Sequence, residues 1–257
     1  MERGQVPTDQ LLRFAVRDGD EKEVYVDLYA GAGFSRIRET GRIVLGSPLL
    51  ALTVDDPFDK YVFCEENSEK LAALRDRTSR TAADADVAFV PGDCDSNVEK
   101  ILAEIPRGSA ENSVLTLCVV DPFDIGIKFE TLRKLSAGRV DFLCLLALHM
   151  DANRAYSWYI KENSTKIDEF LGSSAWRGDW AIAQAQRIEF PKFLADKFSD
   201  QMASLRYLPQ PMHRMKQVRS YDKNVRLYHL ALFSRHPLAY KFWDQVLEYS
   251  TDQRSLF

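Results

Sequence analysis

Several signatures are missing from these 257 residues, and each absence closes a class of function. The four cysteines, Cys64, Cys94, Cys118 and Cys144, form no CxxC pair, so a zinc site is unsupported and no metal is expected. There is no GxxxxGK[ST] run, which removes the phosphate-cradling P-loop. No apolar stretch approaches the roughly 20 residues that span a bilayer. The opening segment Met1–Phe14 has no apolar core of a secretory leader, so a cytoplasmic protein without a membrane partner is expected. Internal repeats and low-complexity tracts are absent. A net charge of −4 argues against general polyanion binding.

What is present is ordinary for a globular chain: 46% hydrophobic and 28% charged residues, and enough length to bury a core without staples. A single domain over 1–257 is expected, with an inserted loop and short helix at 34–60 and a helical, partly basic segment at 151–226. Three cysteines sit inside apolar runs and Cys94 just after one, as buried reduced thiols do. Charge is uneven. From Arg187 to Arg226 nine Lys/Arg face four Asp/Glu, a stretch that suits either a nucleic acid or acidic partner, or a solvated helical surface.

The first half alternates short apolar runs with helical spacing, the pattern of an α/β fold with a mostly parallel, doubly wound sheet. Expected strands are Val24–Tyr29, Tyr61–Glu65, Val87–Pro91, Val114–Asp121 and Asp141–Leu148, and expected helices Ser68–Thr78, Ser96–Ile105 and Lys128–Ala137. Ser96 and Glu99 match a capping box. Gly46-Ser47-Pro48 reads as a helix start. Phe34–Leu45, with Arg36, Arg38, Glu39 and Arg42, reads as a surface loop, either a lid or substrate contact or a plain connection. Later, Ala152–Glu162 and Thr165–Leu171 read as helices and Gly172–Trp180 as a loop. Ala181–Arg206 reads as one or two helices broken near Pro191. Arg226–Ser234 is a strand, partnered near Met215–Tyr221, and Pro237–Tyr249 is a terminal amphipathic helix.

Four strand ends carry chemistry. Asp27 leads into Tyr29-Ala30-Gly31-Ala32-Gly33, where small residues allow close backbone approach to a ligand. Glu65 ends the next strand, where a carboxylate can accept from both ribose hydroxyls; Glu66 is the neighbour it could be confused with. Gly92-Asp93-Cys94 follows the third, with Asp93 placed for an adenine amine. Asp121-Pro122-Phe123 follows the fourth. Their order along one sheet edge is more informative than any one alone.

The combination resembles class I S-adenosylmethionine-dependent methyltransferases, whose Rossmann-like sheet carries an antiparallel late strand. Asp27–Gly33 is similar to their motif I in the form DLFAGxG, and Glu65–Glu69 to the DxNPE after their second strand. Asp121-Pro122-Phe123 is similar to the Asp-Pro-Pro-aromatic loop of amino-methyltransferases acting on nucleic-acid bases, less one proline. Cytosine-C5 methyltransferases are excluded, since they need a Pro-Cys dipeptide and none exists here. Residues 21–250 resemble, more narrowly, the three-Cys-motif partner proteins (TcmP). The marks are Tyr25–Gly33, Gly46–Leu52, Asp121–Phe123, Met150–Arg154, Phe170–Gly172 with Trp176, and Tyr228–His236 with Phe242-Trp243. That resemblance implies an S-adenosylmethionine cofactor and a separate three-cysteine, radical-S-adenosylmethionine-like partner.

A methyltransferase must align nucleophile and methyl and exclude water. The expected roles follow. Asp27, Tyr29, Ala30, Gly31, Gly33, Glu65, Asp93 and Cys94 hold the cofactor. Asp121 orients or deprotonates the nucleophile, with Pro122 beside it and Phe123 as a stacking wall. Ser47, Asp124, His149 and Arg154 contact substrate. His149 is equally a structural hydrogen-bonding residue, and Arg154 either binds phosphate or pairs with a carboxylate. The acceptor is a nucleic-acid base or modified nucleotide, or else a peptide or small molecule made with the partner. A non-catalytic, cofactor-binding scaffold is the third alternative.

Overall fold

Strands form where β-branched and aromatic residues run without interruption, and a computed structural model describes them for residues 21–36, 41–109, 112–219 and 224–252. The chain divides into two compact units. One takes in the described residues up to Val119, Gly138–Asp141 and the terminal helix; the other takes in Val120–Ala137 and Phe142–His236.

In the first unit, β1 (Lys22–Asp27) is followed by a small antiparallel hairpin, β2 (Phe34–Arg36) and β3 (Ile43–Leu45), with Phe34 opposite Leu45. This corrects the expected irregular loop at Phe34–Leu45; the strands are too short for periodicity to reveal. Arg38 and Glu39 lie outside the described residues. Helix α1 (Ser47–Ala51) starts as expected, with Gly46 at its N-cap and Pro48 in its first turn. Then come β4 (Lys60–Glu65), α2 (Ser68–Thr81), β5 (Val87–Pro91), α3 (Val98–Glu104) and β6 (Val114–Val120). β1 pairs parallel with β4 and β6, and β4 with β5. The register sets Asp27 beside Phe63 and Val119, and Glu65 beside Pro91, so the strand ends that carry candidate ligands are level. Leu71, Leu74 and Thr78 make the buried stripe of α2, and each leucine contributes about 2 kcal/mol. The capping box at Ser96 is not formed. Ser96 N–H donates to Asp93 Oδ2 at 2.9 Å, and α3 begins only after Asn97.

In the second unit, α4 (Phe129–Leu135) precedes β7 (Val140–Leu146), whose first two residues belong to the first unit. A π-helical turn, Leu148–Ala152, follows. The expected helix Ala152–Glu162 reduces to one turn, α5 (Tyr156–Tyr159), before α6 (Lys166–Leu171). The expected loop Gly172–Trp180 ends early, since α7 (Trp176–Ala185) runs through Gly178. α8 (Phe190–Ser204) opens with Pro191 in its first turn, which is the break expected there. β8 (Lys216–Arg219) and β9 (Arg226–Phe233) pair antiparallel, and β9 pairs antiparallel with β7, matching the expected late strand and its partner. The terminal helix α9 (Pro237–Asp252) buries Ala239, Tyr240 and Trp243. Hydrogen bonding follows the strand order β5-β4-β1-β6-β7-β9-β8. The fold class is the expected one: α/β, a mostly parallel sheet flanked by helices, with β9 antiparallel between β7 and β8.

Candidate functional site

The first unit laces three strand ends together. Asp27 is fully buried, and its carboxylate turns onto its own loop, accepting from Tyr29 N–H at 3.1 Å and Tyr25 OH at 3.4 Å. It shapes the turn. Ala30 N–H donates to the Cys64 carbonyl at 2.9 Å. Gly31 N–H donates to Glu65 Oε2 and Asn67 N–H to Glu65 Oε1, both at 2.8 Å. Gly92 N–H in turn donates to the Glu65 carbonyl at 3.0 Å, and the Cys64 thiol to the Gly92 carbonyl at 3.2 Å. Glu65, only 9% exposed, is therefore the knot of the Gly loop, the β4 tip and the β5 tip.

Two glycines of the loop do different work. Gly31, at φ +63°, has nothing within 4 Å of where a Cβ would sit, so its face is open. Gly33, at φ +82°, would drive a Cβ to 2.9 Å from Leu74 and 3.0 Å from Leu49, so it is a packing glycine. Arg77 of α2 donates to the Ala32 carbonyl and lies 5.1 Å over the Phe34 ring. The Ser47 hydroxyl hydrogen-bonds the Tyr25 hydroxyl, a use inside the first unit. The Tyr29 hydroxyl bonds Cys94, whose thiol is pushed up to about 12, chiefly by burial. Asp93 Oδ2 accepts from Ser96 N–H in the turn before α3, and the Asp93 carbonyl accepts from the Asn97 side chain at 2.8 Å.

These residues fit an adenosyl group. A carboxylate offers about four acceptor positions, and Glu65 uses one per oxygen for backbone N–H groups, leaving others for ribose hydroxyls. The open face at Gly31 is next to that carboxylate.

The second unit holds the remaining candidates. Asp121 has no hydrogen bond or ion pair to a described residue. Although its side chain reaches solvent, surrounding chain desolvates it and pushes its carboxyl up to about 6. Its charge in turn raises the Tyr228 hydroxyl, after burial. Pro122 is buried, while Phe123 is 90% exposed. Asp124 pairs with Lys166 at 2.9 Å. Ile125 N–H donates to Asp151 Oδ2 at 3.1 Å, and Tyr159 OH donates to both oxygens of Asp151 at 3.0 Å. The 121–126 loop is thus pinned behind Asp121 and Phe123 by Asp151, Tyr159 and Lys166.

His149, in the π-helical turn, lies 5.3 Å from the His229 ring, and neither of its nitrogens has a hydrogen-bond partner among the described residues. Burial, then the charge of Arg226, lowers its pKa. His229 falls to about 4, by burial and then by its neighbour His149. Both rings are neutral at pH 7. Arg154 is exposed and makes no ion pair with a described residue. In the basic stretch, Lys192 and Arg226 pair with its own acids Asp196 and Glu189, and Lys197 pairs with Asp179 outside it, so only the last pair reduces the surplus. Among the described residues no cluster of His, Cys, Asp and Glu could hold a metal, and no helix is long and apolar enough to cross a membrane.

No known family's sequence profile matches the chain, and no curated protein matches it. Solved structures to which it is similar include M. jannaschii TYW2 in complex with AdoMet (12% identity, 92% of this chain and 78% of that one, TM-score 0.37). Others are the DszA carbon methyltransferase (15% identity, 86% and 49%, TM-score 0.40) and a conserved hypothetical protein of Streptococcus pyogenes (18% identity, 51% and 69%, TM-score 0.34).

Sequence reasoning placed the strand-end acids but missed their supports. Nothing in the sequence sets Arg77 apart from the other cations of its charged helix. Asp151 and Tyr159 lie in a stretch whose helical spacing hid a π-turn, and a π-turn itself is a functional marker only when seen.

Proposed function

We propose that the chain is an S-adenosylmethionine-dependent methyltransferase, with the donor held at the Gly31 and Glu65 loop ends and with Asp121 serving the acceptor. The observation that carries this is the open face at Gly31 beside the Glu65 carboxylate, both locked to the Gly92 turn. When bound, the cofactor supplies an electrophilic sulfonium methyl. Glu65 then binds the ribose hydroxyls with its unused lone pairs, and Asp93 the adenine amine. Asp121 accepts the proton that the acceptor nucleophile loses. A carboxyl shifted to about 6 is mostly ionised at pH 7, yet more basic than an ordinary aspartate. Phe123 offers a ring face to a flat acceptor, which supports a nucleic-acid base or modified nucleotide as the substrate class. A three-cysteine partner protein, implied by the TcmP resemblance, belongs to the same reading.

Calorimetry with S-adenosylmethionine tests it. The wild type binds, Gly31→Arg fills the open face and does not, and Glu65→Ala binds weakly. A wild type that ignores the cofactor ends the proposal.

A further inference from the structure

Two aromatic side chains stand out in solvent on the second unit, and one carboxylate holds both segments that bear them. Phe123 is 90% exposed and Trp158 67%. Ile125, two residues past Phe123, and Tyr159, next to Trp158, both donate to Asp151. Asp124 adds its charge to those raising the Tyr159 hydroxyl, after burial and Asp151, so the two segments meet around that carboxylate. Neither ring is loosely hung, because each projects from backbone fixed by a buried or half-buried tie. Leaving two large rings in water forgoes the apolar burial that other aromatics of this unit obtain.

The charges beside Trp158 are mostly positive, while Phe123 lies between Asp121 and Asp124, the latter paired with Lys166. Lys161 Nζ lies 3.7 Å from the centre of the Trp158 ring. Arg154, one turn ahead, is exposed without an ion pair to a described residue. Between 153 and 166 the cations are Arg154, Lys161 and Lys166, and the one acid is Glu162; Lys166 is committed to Asp124. Open ring faces among cations suit a ligand that alternates flat bases with phosphates.

We propose that this surface binds single-stranded nucleic acid, with bases stacking on Trp158 and Phe123 and Arg154 on a phosphate. The inference rests on the methyltransferase reading for its purpose, delivery of a base to Asp121, but binding needs no methyl donor.

The full chain would be titrated with oligouridylate and oligodeoxyuridylate of about 12 nucleotides, following tryptophan emission and probe anisotropy over a salt series. Trp176, Trp180 and Trp243 are buried, so quenching reports Trp158. Either strand quenches the emission, and the tighter one names the sugar chemistry. Trp158→Ala and Phe123→Ala each weaken binding about tenfold. Arg154→Ala lowers the salt slope by about 0.7. All three positions are exposed, so thermal melts stay near wild type. Equal affinity of Trp158→Ala, Phe123→Ala and wild type overturns the proposal, as does equally tight binding of duplex DNA. Oligonucleotide binding without S-adenosylmethionine binding leaves this surface standing and removes the donor reading; the reverse result does the opposite.

Discussion

The acidic groups of the two units differ in how much of their hydrogen bonding is already used. In the first, Asp27 and Glu65 are buried and hold neighbouring backbone N–H groups, so the chain's own bonds fix the loop geometry. In the second, Asp121 is open to solvent with no partner among the described residues, while the bonding is done one turn behind it by Asp151 and Lys166. Under the proposed function the contrast separates two tasks. A cofactor cradle benefits from a fixed shape, whereas a reacting carboxylate must keep its lone pairs free.

The largest expected break in that contrast is Asp121→Asn. Methyl transfer into a nucleotide or RNA pool, followed with labelled S-adenosylmethionine, falls about 10²- to 10⁴-fold, while cofactor affinity measured by calorimetry stays unchanged. In the wild type the rate declines as pH drops through about 6, as Asp121 takes up a proton; a profile flat to pH 4 would remove its role. Next comes Glu65→Ala. Losing a carboxylate that holds two backbone donors, Gly31 and Asn67, lowers cofactor affinity about tenfold to a hundredfold. An affinity within twofold of wild type would show that the knot is purely structural.

Gly33→Ala sharpens the comparison from the packing side. A Cβ there meets Leu74 and Leu49 in a left-handed backbone conformation, so urea unfolding should report a loss of about 3 kcal/mol. Gly31→Ala, with open space, should cost about 1 kcal/mol, from its backbone conformation alone. Equal losses would contradict the division of labour between the two glycines.

Acid stability probes the second unit. His229 has a folded pKa of about 4, below its unfolded value, so the unfolded chain binds more protons between roughly pH 6.5 and 4. Stability therefore drops over that window, by about 2 kcal/mol, and His229→Gln flattens the slope. The smallest effect has the opposite sign. The folded pKa of Asp121 is raised, so its ionised form costs stability above about pH 6. Asp121→Asn should then stabilise by about 1 kcal/mol at pH 8, after discounting for solvent screening. The gain fades as pH falls toward 4. No gain at pH 8 would mean that water, not protein, surrounds the carboxylate.

Much of the first unit was legible because parallel strands covered by helices must be apolar runs, and Val87–Pro91 has the expected bounds. The positions of Glu65 and Gly31 at one sheet edge were legible because Glu65 ends such a run and Gly31 lies in the turn that follows another. The second unit was harder. Gly172 and Gly178 suggested a loop, yet Trp176 starts a helix with its indole N–H donating to Asp168 at 2.6 Å. Tertiary anchoring overrode local propensity there. Ser96 and Glu99 matched a cap, but Asp93 had already claimed the Ser96 N–H. The pinning of the Asp121 loop joins residues up to 42 positions apart, as in Asp124 and Lys166, and no local pattern encodes it.

The buried thiols have a practical corollary. All four cysteines are enclosed, and those of Cys64 and Cys94 are held near 12. Alkylating reagents, which attack thiolates, would find the native chain almost silent. Asn153→Cys would then give one addressable position beside the proposed stacking surface, where a fluorophore or spin label could report whether nucleotides arrive without stripping any native side chain from the core.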